Sequence, residues 1–154
     1  METPKPTAAH RRLEGFAGHW EGEETVYASP WTKAGKAKAR RDARMGVDGF
    51  FLIDNYREER DDGTMVGHGV IGYDPKQRRY TLHWFDNFGT PPSTPGLGRF
   101  EGDSLVFDFE YPDHRGRTVY ELDGDDGHVF RVEMAPEGED FQPIVEGRYK
   151  RIEG

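Results

Sequence analysis

Apolar and polar residues alternate with a period of two along most of this chain, in short segments separated by turn-forming residues. Successive side chains of a β-strand point to opposite faces of a sheet, so this period indicates strands with one buried and one solvated face. The pattern predicts ten strands. They cover residues 20–28, 36–47, 50–58, 65–73, 79–85, 96–100, 104–111, 117–122, 128–134 and 142–151.

Turn-forming pairs lie between these segments, among them Asp48-Gly49, Asp62-Gly63 and Arg115-Gly116. Strands joined by such short turns pair with their neighbours along the chain as an antiparallel meander. Closing the meander into a barrel removes the unpaired edges that it would otherwise present. The sequence therefore predicts an all-β fold, a single antiparallel up-and-down barrel of about ten strands.

The N-terminal part of the chain lacks this alternation. Residues 1–6 are predicted to form a disordered leader, and a short N-terminal helix is expected to follow, with Thr7 as the candidate N-cap. Leu13 and Phe16 are expected to face inward. A chain of 154 residues has the length of one domain, so residues 7–154 are predicted to form a single barrel domain.

Composition argues against several classes of function. The net charge of −8 argues against nucleic acid as a partner, because phosphate binding depends on clustered Lys and Arg, and weakly against a membrane surface. The chain has no cysteine, which excludes disulfides, thiolate chemistry and cysteine-based zinc sites. No segment reaches membrane-spanning length, and the first dozen residues lack the apolar run of a signal peptide, so a cytoplasmic location is expected.

The second predicted strand carries one residue that breaks its own pattern. Its even-numbered positions from Lys36 to Arg44 are charged, whereas its odd-numbered positions from Ala37 to Val47 are mainly Ala, Met and Val. A helix would mix these two sets, so their separation indicates a strand. Arg41 is the exception on the small, apolar face, which we expect to point into the barrel.

Arg41 is therefore the first candidate for a binding residue. If Trp20 and Glu24 mark the inner face of the first strand, antiparallel pairing is expected to bring Glu24 opposite or diagonal to Arg41. Arg41 would then anchor a ligand carboxylate, with Glu24 as its partner in the empty site. Two alternatives stay open at this point: a structural ion pair inside a small barrel, or a bulge that turns Arg41 outward.

Aromatic residues dominate the predicted inner wall. The candidate ligand-binding residues on it are Tyr56, Trp84, Phe107, Phe109 and Tyr120, in addition to Arg41 and Glu24. These side chains either fill the barrel, as in the smallest closed barrels, or line a cavity with a few polar groups, as in small-molecule sites. A strand count of about ten favours a cavity.

Gly18-His19-Trp20, just before the first strand, resembles the Gly-x-Trp motif of lipocalins. In that superfamily the Trp closes one end of the barrel and an Arg from the last strand packs across it. The resemblance implies that Trp20 and Arg151 form this barrel-closing pair, with Arg148 as the alternative to Arg151.

Three further segments strengthen the resemblance, at residues 69–74, 80–89 and 146–151. In that order and spacing they resemble a bacterial family known only as a domain of unknown function, whose members are similar to lipocalins. The resemblance implies a lipocalin-like barrel over nearly the whole chain after Leu13. It implies no activity, so function has to be argued from the site.

Nitrobindin-like haem barrels open with a similar Gly-x-Trp-x-Gly run, matched here by Gly18, Trp20 and Gly22. Their haem is held by a His close to the C-terminus, and this chain has no His after His128. The six histidines are dispersed and lack metal-ligand spacing. His68 and His83, on neighbouring strands, are the pair most able to meet. The sequence predicts neither a cofactor nor a metal.

The function predicted from these observations is binding of a small, largely apolar molecule in the barrel, with a carboxylate as one option. One alternative is a barrel enzyme of the cyclase or isomerase type. Its acid or base would be Glu24, Asp86, Tyr56 or His83. The other alternative is a filled barrel that acts through its surface, in a homodimer or another complex.

Overall fold

The computed structural model describes residues 2–153, so Met1 of the predicted leader and Gly154 of the predicted barrel domain lie outside the described residues. Ten antiparallel strands form a closed barrel in which each strand pairs with its neighbours along the chain and β1 pairs with β10. The predicted fold class is confirmed. The strands are β1 (Gly18–Val26), β2 (Gly35–Gly46), β3 (Phe51–Arg60), β4 (Gly63–Asp74), β5 (Arg79–Asp86), β6 (Gly96–Glu101), β7 (Ser104–Glu110), β8 (His114–Asp123), β9 (Gly127–Pro136) and β10 (Gln142–Ile152).

The predicted turn at Arg115-Gly116 is wrong. Both residues lie inside β8, and the chain instead turns at residues 111–114, where the Tyr111 N–H donates to the His114 carbonyl at 3.0 Å. Gly116 pairs with Phe109, and a Cβ at Gly116 would lie 3.3 Å from the Tyr111 ring. This glycine therefore makes room for a ring on the neighbouring strand, which the sequence pattern does not distinguish from a turn.

A short helix precedes the barrel, as predicted. Residues Ala8–Arg11 form the helix α1, and a 3-10 turn follows at Arg12–Phe16. Leu13 and Phe16 in this turn are buried in the main hydrophobic core. They cover one end of the barrel, which we call the closed end. The turns at residues 47–50, 75–78, 102–103 and 124–126 lie at the same end.

Trp20 and Arg151 meet at the closed end. The Arg151 guanidinium carbon lies 4.2 Å from the centroid of the fully buried Trp20 ring. Arg151 also donates from Nη1 to the Ala17 carbonyl at 2.6 Å and from Nε to the Asp125 carbonyl at 3.0 Å. Gly18 has a φ of +139°, and a Cβ there would overlap Arg151 Nη1. These contacts tie the N-terminal segment to the β8–β9 turn.

The opposite end of the barrel, which we call the mouth, is bounded by the loops at residues 27–34, 61–62, 87–95, 111–113 and 137–141. Three of these loops carry exposed aromatic side chains: Trp31 is 41% exposed, Phe88 81% and Tyr111 40%. The rings of Trp31 and Tyr111 both pack on His114, with centroid distances of 5.2 and 4.4 Å. In the described part of the chain, no helix has the length and apolar character needed to cross a membrane.

Candidate functional site

The inner face of β2 is as predicted. Ala37, Ala39 and Arg41 are all buried, and Arg41 is 1% exposed. The bulge that would have turned Arg41 outward is therefore not formed. Val47, predicted on the same face, is instead exposed, because it follows the end of β2 and turns the chain with a φ of +53°.

The prediction that Glu24 is the partner of Arg41 is wrong. Arg41 Nη1 instead donates to Oδ2 of Asp54, on the neighbouring strand β3. The register pairs Trp20 with Arg41 and Glu24 with Ala37. Glu24 thus lies four residues, or about 13 Å of extended chain, nearer the mouth than the position opposite Arg41.

Aromatic rings surround the Arg41 guanidinium. Its carbon lies 3.9 Å from the centroid of Phe130, 4.6 Å from Tyr56, 5.3 Å from Tyr120 and 5.5 Å from Tyr149. Ring faces attract a desolvated cation. Burial works to lower the pKa of Arg41, but Asp54 together with the neighbouring Tyr149, Tyr120 and Tyr56 holds this pKa above its ordinary value.

A second set of buried polar residues lies between Arg41 and the mouth. We call Glu24, Tyr56, Glu58 and Tyr149 the acid layer. Glu24 Oε1 lies 2.5 Å from the Tyr56 hydroxyl oxygen, and Glu24 Oε2 accepts a hydrogen bond from the Tyr149 hydroxyl. The Tyr56 oxygen also lies 2.8 Å from Glu58 Oε2, and Arg60 Nε donates to Glu58 Oε1. Both glutamates are 0% exposed.

The hydrogen bonds of the acid layer require one hydrogen more than the Tyr56 hydroxyl supplies to the two glutamates. The Tyr56 oxygen is within hydrogen-bond distance of both carboxyls, but its hydroxyl brings only one hydrogen. The second hydrogen must therefore lie on a carboxyl group. Burial, together with Glu58, raises the pKa of Glu24 to about 8. Burial also acts to raise the pKa of Glu58, but hydrogen bonds with Glu24, Arg60 and Tyr56 bring it below its usual range.

Small residues on the surrounding strands make room for the acid layer. Ala37 pairs with Glu24. A Cβ added at Gly22 would lie 2.7 Å from Tyr149 Cδ1, and one added at Gly147 would lie 2.8 Å from Glu24 Cγ. The space that the Ala-rich face suggests for a ligand is therefore taken up by Glu24 and Tyr149.

Beyond the acid layer, the inner wall at the mouth is apolar and half-buried. It is formed by Met65, Trp84, Phe109, Val132 and Met134.

Trp84 is held in place from two sides. Its indole lies over two glycines of β4, since a Cβ at Gly67 would overlap the ring and one at Gly69 would lie 3.2 Å from it. Its Nε1 donates to Asp86 Oδ2 at 3.0 Å. The Trp84 ring is 5.8 Å from that of Tyr56, so Trp84 connects the mouth with the acid layer.

The seven predicted ligand-binding residues thus fall into two groups. Trp84 and Phe109 line the mouth. The other five are buried deeper in the barrel and occupy its interior: Glu24, Arg41, Tyr56, Phe107 and Tyr120.

Sequence reasoning missed Asp54, Glu58 and Tyr149. Asp54 and Glu58 share the inner face of β3 with Leu52 and Tyr56. The outer positions of β3 include Phe51 and Ile53, so neither face of this strand stands out as the apolar one. A buried Arg on β2 demands an acidic partner on an adjacent strand, and that requirement is the signal that could have selected Asp54.

The other acid–base and metal candidates lie elsewhere. His83 is exposed on β5, so its predicted place inside the barrel is wrong. His68 Nδ1 lies 2.8 Å from Asn55 Oδ1, on the outer side of β3. Among the described residues, no group of three or more metal-ligating side chains comes together.

Grooves lie outside the barrel wall. One, of about 660 Å³, follows β9 and β10, and another, of about 620 Å³, crosses β10, β1, β2 and β3. Charged side chains such as Arg148, Lys38 and Glu23 line them. The lining of the first groove also includes Tyr149, a member of the acid layer.

Strand number, closure and the covered end define this protein as a lipocalin-like β-barrel. It belongs to a particular family: the model described as "Protein of unknown function (DUF1579)" matches residues 5–151. The expectation of a lipocalin-like family without an assigned activity is confirmed. A comparison with curated proteins gives no match.

Solved structures share the fold at low sequence identity. Rv2717c from M. tuberculosis is 16% identical with a TM-score of 0.67, covering 96% of this chain and 99% of its own. The S-type phycobiliprotein lyase CPES from Guillardia theta is 10% identical with a TM-score of 0.69, covering 96% and 94%. EF1p2_mFAP2b bound to DFHBI is 12% identical with a TM-score of 0.50, covering 93% and 98%.

Proposed function

We propose that the protein binds a small, largely apolar molecule in the mouth of its barrel. The observation that carries this proposal is the half-buried apolar wall around Trp84 and Phe109, at the end opposite α1 and the 3-10 turn. Concave apolar surfaces with a few polar groups at their base are the usual form of small-molecule sites. Here the polar base is the acid layer.

Similar barrels support the same class of function. EF1p2_mFAP2b is bound to the small molecule DFHBI, and CPES is a phycobiliprotein lyase. The proposed partner is accordingly a small molecule. Nucleic acid is not expected as a partner, given the net charge of −8. Homodimer formation and a cytoplasmic location stay predictions from the sequence.

The acid layer bears on the charge of the ligand. Glu24 is neutral below its raised pKa of about 8, and Glu58 is paired with Arg60. The loops around the mouth add acidic side chains at Asp61, Asp62 and elsewhere. An anion in the mouth would therefore meet like charge. We propose a neutral ligand there, and the carboxylate option applies only to the deeper Arg41.

A second candidate function is acid–base catalysis in the same mouth. The observation that favours it is the Tyr56 oxygen within hydrogen-bond distance of both buried carboxyls, beside a Glu24 whose pKa is raised to about 8, because a carboxyl kept protonated near neutral pH can act as a general acid. Asp86 is less suited to this role, since it is bound to the Trp84 indole and to the Phe88 N–H. A substitution Glu24→Gln would abolish turnover and leave ligand binding in place.

The binding proposal can be tested with the neutral naphthalene ketone Prodan, whose emission shifts to the blue in apolar surroundings. We expect saturable binding at micromolar concentrations and about tenfold weaker binding by Phe109→Ala, which removes part of the wall. Phe85→Ala is the matched control, because Phe85 lies next to Trp84 in the chain but is exposed on the outer face. Equal affinities for the two variants would place the probe outside the mouth and contradict the proposal.

A further inference from the structure

Four polar atoms in the middle of the barrel are buried yet have no hydrogen-bond partner within residues 2–153. They are Nε and Nη2 of Arg41, Oδ1 of Asp54 and the hydroxyl oxygen of Tyr120. The three residues are 1%, 2% and 2% exposed. Buried polar groups without partners are costly, so each such group calls for an explanation.

These atoms belong to one cluster. Arg41 Nη1 already donates to the other carboxyl oxygen of Asp54, and the Arg41 guanidinium carbon lies 5.3 Å from the centroid of the Tyr120 ring. Phe130 packs on the guanidinium at 3.9 Å. The unpartnered edge of Arg41 therefore lies among Asp54 and the aromatic rings.

The unpartnered hydrogen-bond donors and acceptor can all be satisfied by one carboxyl group. The Nε–H and one Nη2–H of a guanidinium point side by side and fit the two oxygens of a carboxylate. Arg41 and Tyr120 together offer hydrogens that need acceptors, and Asp54 Oδ1 is an acceptor that lacks a hydrogen. A carboxylic acid brings two acceptor oxygens and one hydrogen.

We propose that Arg41, Asp54 and Tyr120 form an internal binding site for a small carboxylic acid, bound as its carboxylate on the Nε–Nη2 edge of Arg41. The proton of the acid passes to Oδ1 of Asp54, which then donates it back to the carboxylate as a hydrogen bond. The bound state contains one cation, one anion and a neutral Asp54. The acid thus adds no net charge to the barrel interior, and the site does not depend on the mouth proposal.

The surroundings of Asp54 favour its protonated form. Burial raises the pKa of Asp54 above its ordinary value, even though Arg41 acts to lower it. The other charged groups acting on Asp54 are His68 from β4, which lowers its pKa, and Asp42 from β2, which raises it. Tyr56 from β3, Tyr120 from β8 and Tyr149 from β10 surround the paired Arg41. His128 from β9 stacks on Tyr120, and burial lowers the pKa of His128 to about 3, so that it is neutral.

Size limits the ligand. The rings around Arg41 and the acid layer on its mouth side enclose the site closely, so formate, the smallest carboxylate, is the first probe. The same carboxyl chemistry could come from a free small acid or from the end of a longer apolar acid that reaches in from the mouth. Formate and decanoate serve as probes for these two sources.

The test measures thermal stabilisation of the whole protein by sodium formate and sodium decanoate, with sodium chloride at equal ionic strength as the reference. We expect saturable stabilisation by at least one of the two acids. Because each bound anion takes up one proton, the apparent Kd should rise about tenfold per pH unit over the range where free Asp54 is ionised. Stabilisation by formate alone identifies a free small acid, and tighter binding of decanoate identifies the end of a longer one.

Tyr120→Phe removes one hydrogen-bonding hydroxyl and keeps the ring, so the variant is expected to fold. This substitution should weaken binding of the acid by about tenfold or more. Tyr80→Phe is the matched control, because the Tyr80 hydroxyl donates to the Ala9 carbonyl at the closed end. The proposal is overturned if neither acid stabilises the protein beyond chloride, if a crystal grown in formate shows only water at Arg41, or if both variants bind the acid equally.

Discussion

The two ends of this barrel are built from the same ten strands but closed in opposite ways. At the closed end, the N-terminal segment places Leu13 and Phe16 over the fully buried Trp20, and Arg151 covers the Trp20 ring. At the mouth, apolar side chains of the inner wall stay half-buried, and the floor beneath them is polar. The difference teaches that burial at one end stabilises the fold, whereas incomplete burial at the other leaves the apolar surface at which we propose that a ligand binds.

The largest difference between the ends is expected in two matched tryptophan substitutions. Trp20→Ala should lower the free energy of unfolding by about 3–5 kcal/mol, because it leaves a cavity in a fully buried site. Trp84→Ala should cost about 1–2 kcal/mol, since the Trp84 ring is already partly exposed. Urea unfolding measures both values. A cost for Trp84→Ala as large as that for Trp20→Ala would mean that the mouth is packed as tightly as the closed end.

A pH-dependent effect is expected from the acid layer, and it is smaller over the range from pH 6.5 to 8 used to measure it. Glu24 has a pKa raised to about 8 in the folded state, above its ordinary value of 4.5, so the folded protein holds a proton that the unfolded chain has lost. Stability should therefore fall as pH rises toward 8, by up to about 1.4 kcal/mol per pH unit. Below pH 4.5 both states are protonated, and this dependence disappears.

His128 acts in the opposite direction but in a different range. Its pKa is lowered from 6.5 to about 3, so its contribution is lost only as pH falls below 6.5. Urea unfolding between pH 6.5 and 8 therefore excludes a contribution from His128, but it still includes Asp54, whose pKa is also raised by burial. Glu24→Gln removes only the contribution of Glu24, so its profile should be shallower than that of the wild type in this range. An equal slope in the variant and the wild type would show that the proton does not lie on Glu24.

The smallest effect is expected from Arg151→Ala at the closed end. The variant loses the contact with Trp20 and the hydrogen bonds to Ala17 and Asp125, but the side chain is partly exposed, so the cost should be about 1–2 kcal/mol. Lys150→Ala is the control on the same strand. A lower melting temperature and altered tryptophan fluorescence are expected for Arg151→Ala alone. Matching results for the two variants would show that Arg151 does not help to close this end of the barrel.

The sequence predicts faces better than it predicts partners. The period of two places Arg41 on the inner face of β2, because parity depends only on neighbouring positions in the chain. The partner of Arg41 depends on the register between strands, which is set by where each strand begins and how each turn is built. Glu24 shares the inner face with Arg41 but is displaced along it, so Asp54 takes its place.

Glycines limit the prediction of the site in a similar way. Gly67 and Gly69 of β4 provide the surface on which Trp84 lies. The pattern of one strand does not record that its neighbour carries a large ring. The same limitation explains Gly116, which suggests a turn but instead faces Tyr111 and Phe109 across β7 and β8.

The central claim is that a ligand enters the mouth and not the closed end, and the three tryptophans test it directly. Trp20 lies at the closed end, whereas Trp31 and Trp84 lie at the mouth. We suggest ¹⁹F NMR of protein labelled with 5-fluorotryptophan, assigned by Trp→Phe variants and titrated with Prodan. The account predicts that the Trp84 resonance shifts saturably while the Trp20 resonance stays in place. A shift of Trp20 alone, or saturable Prodan binding that leaves Trp84 unchanged, would contradict it.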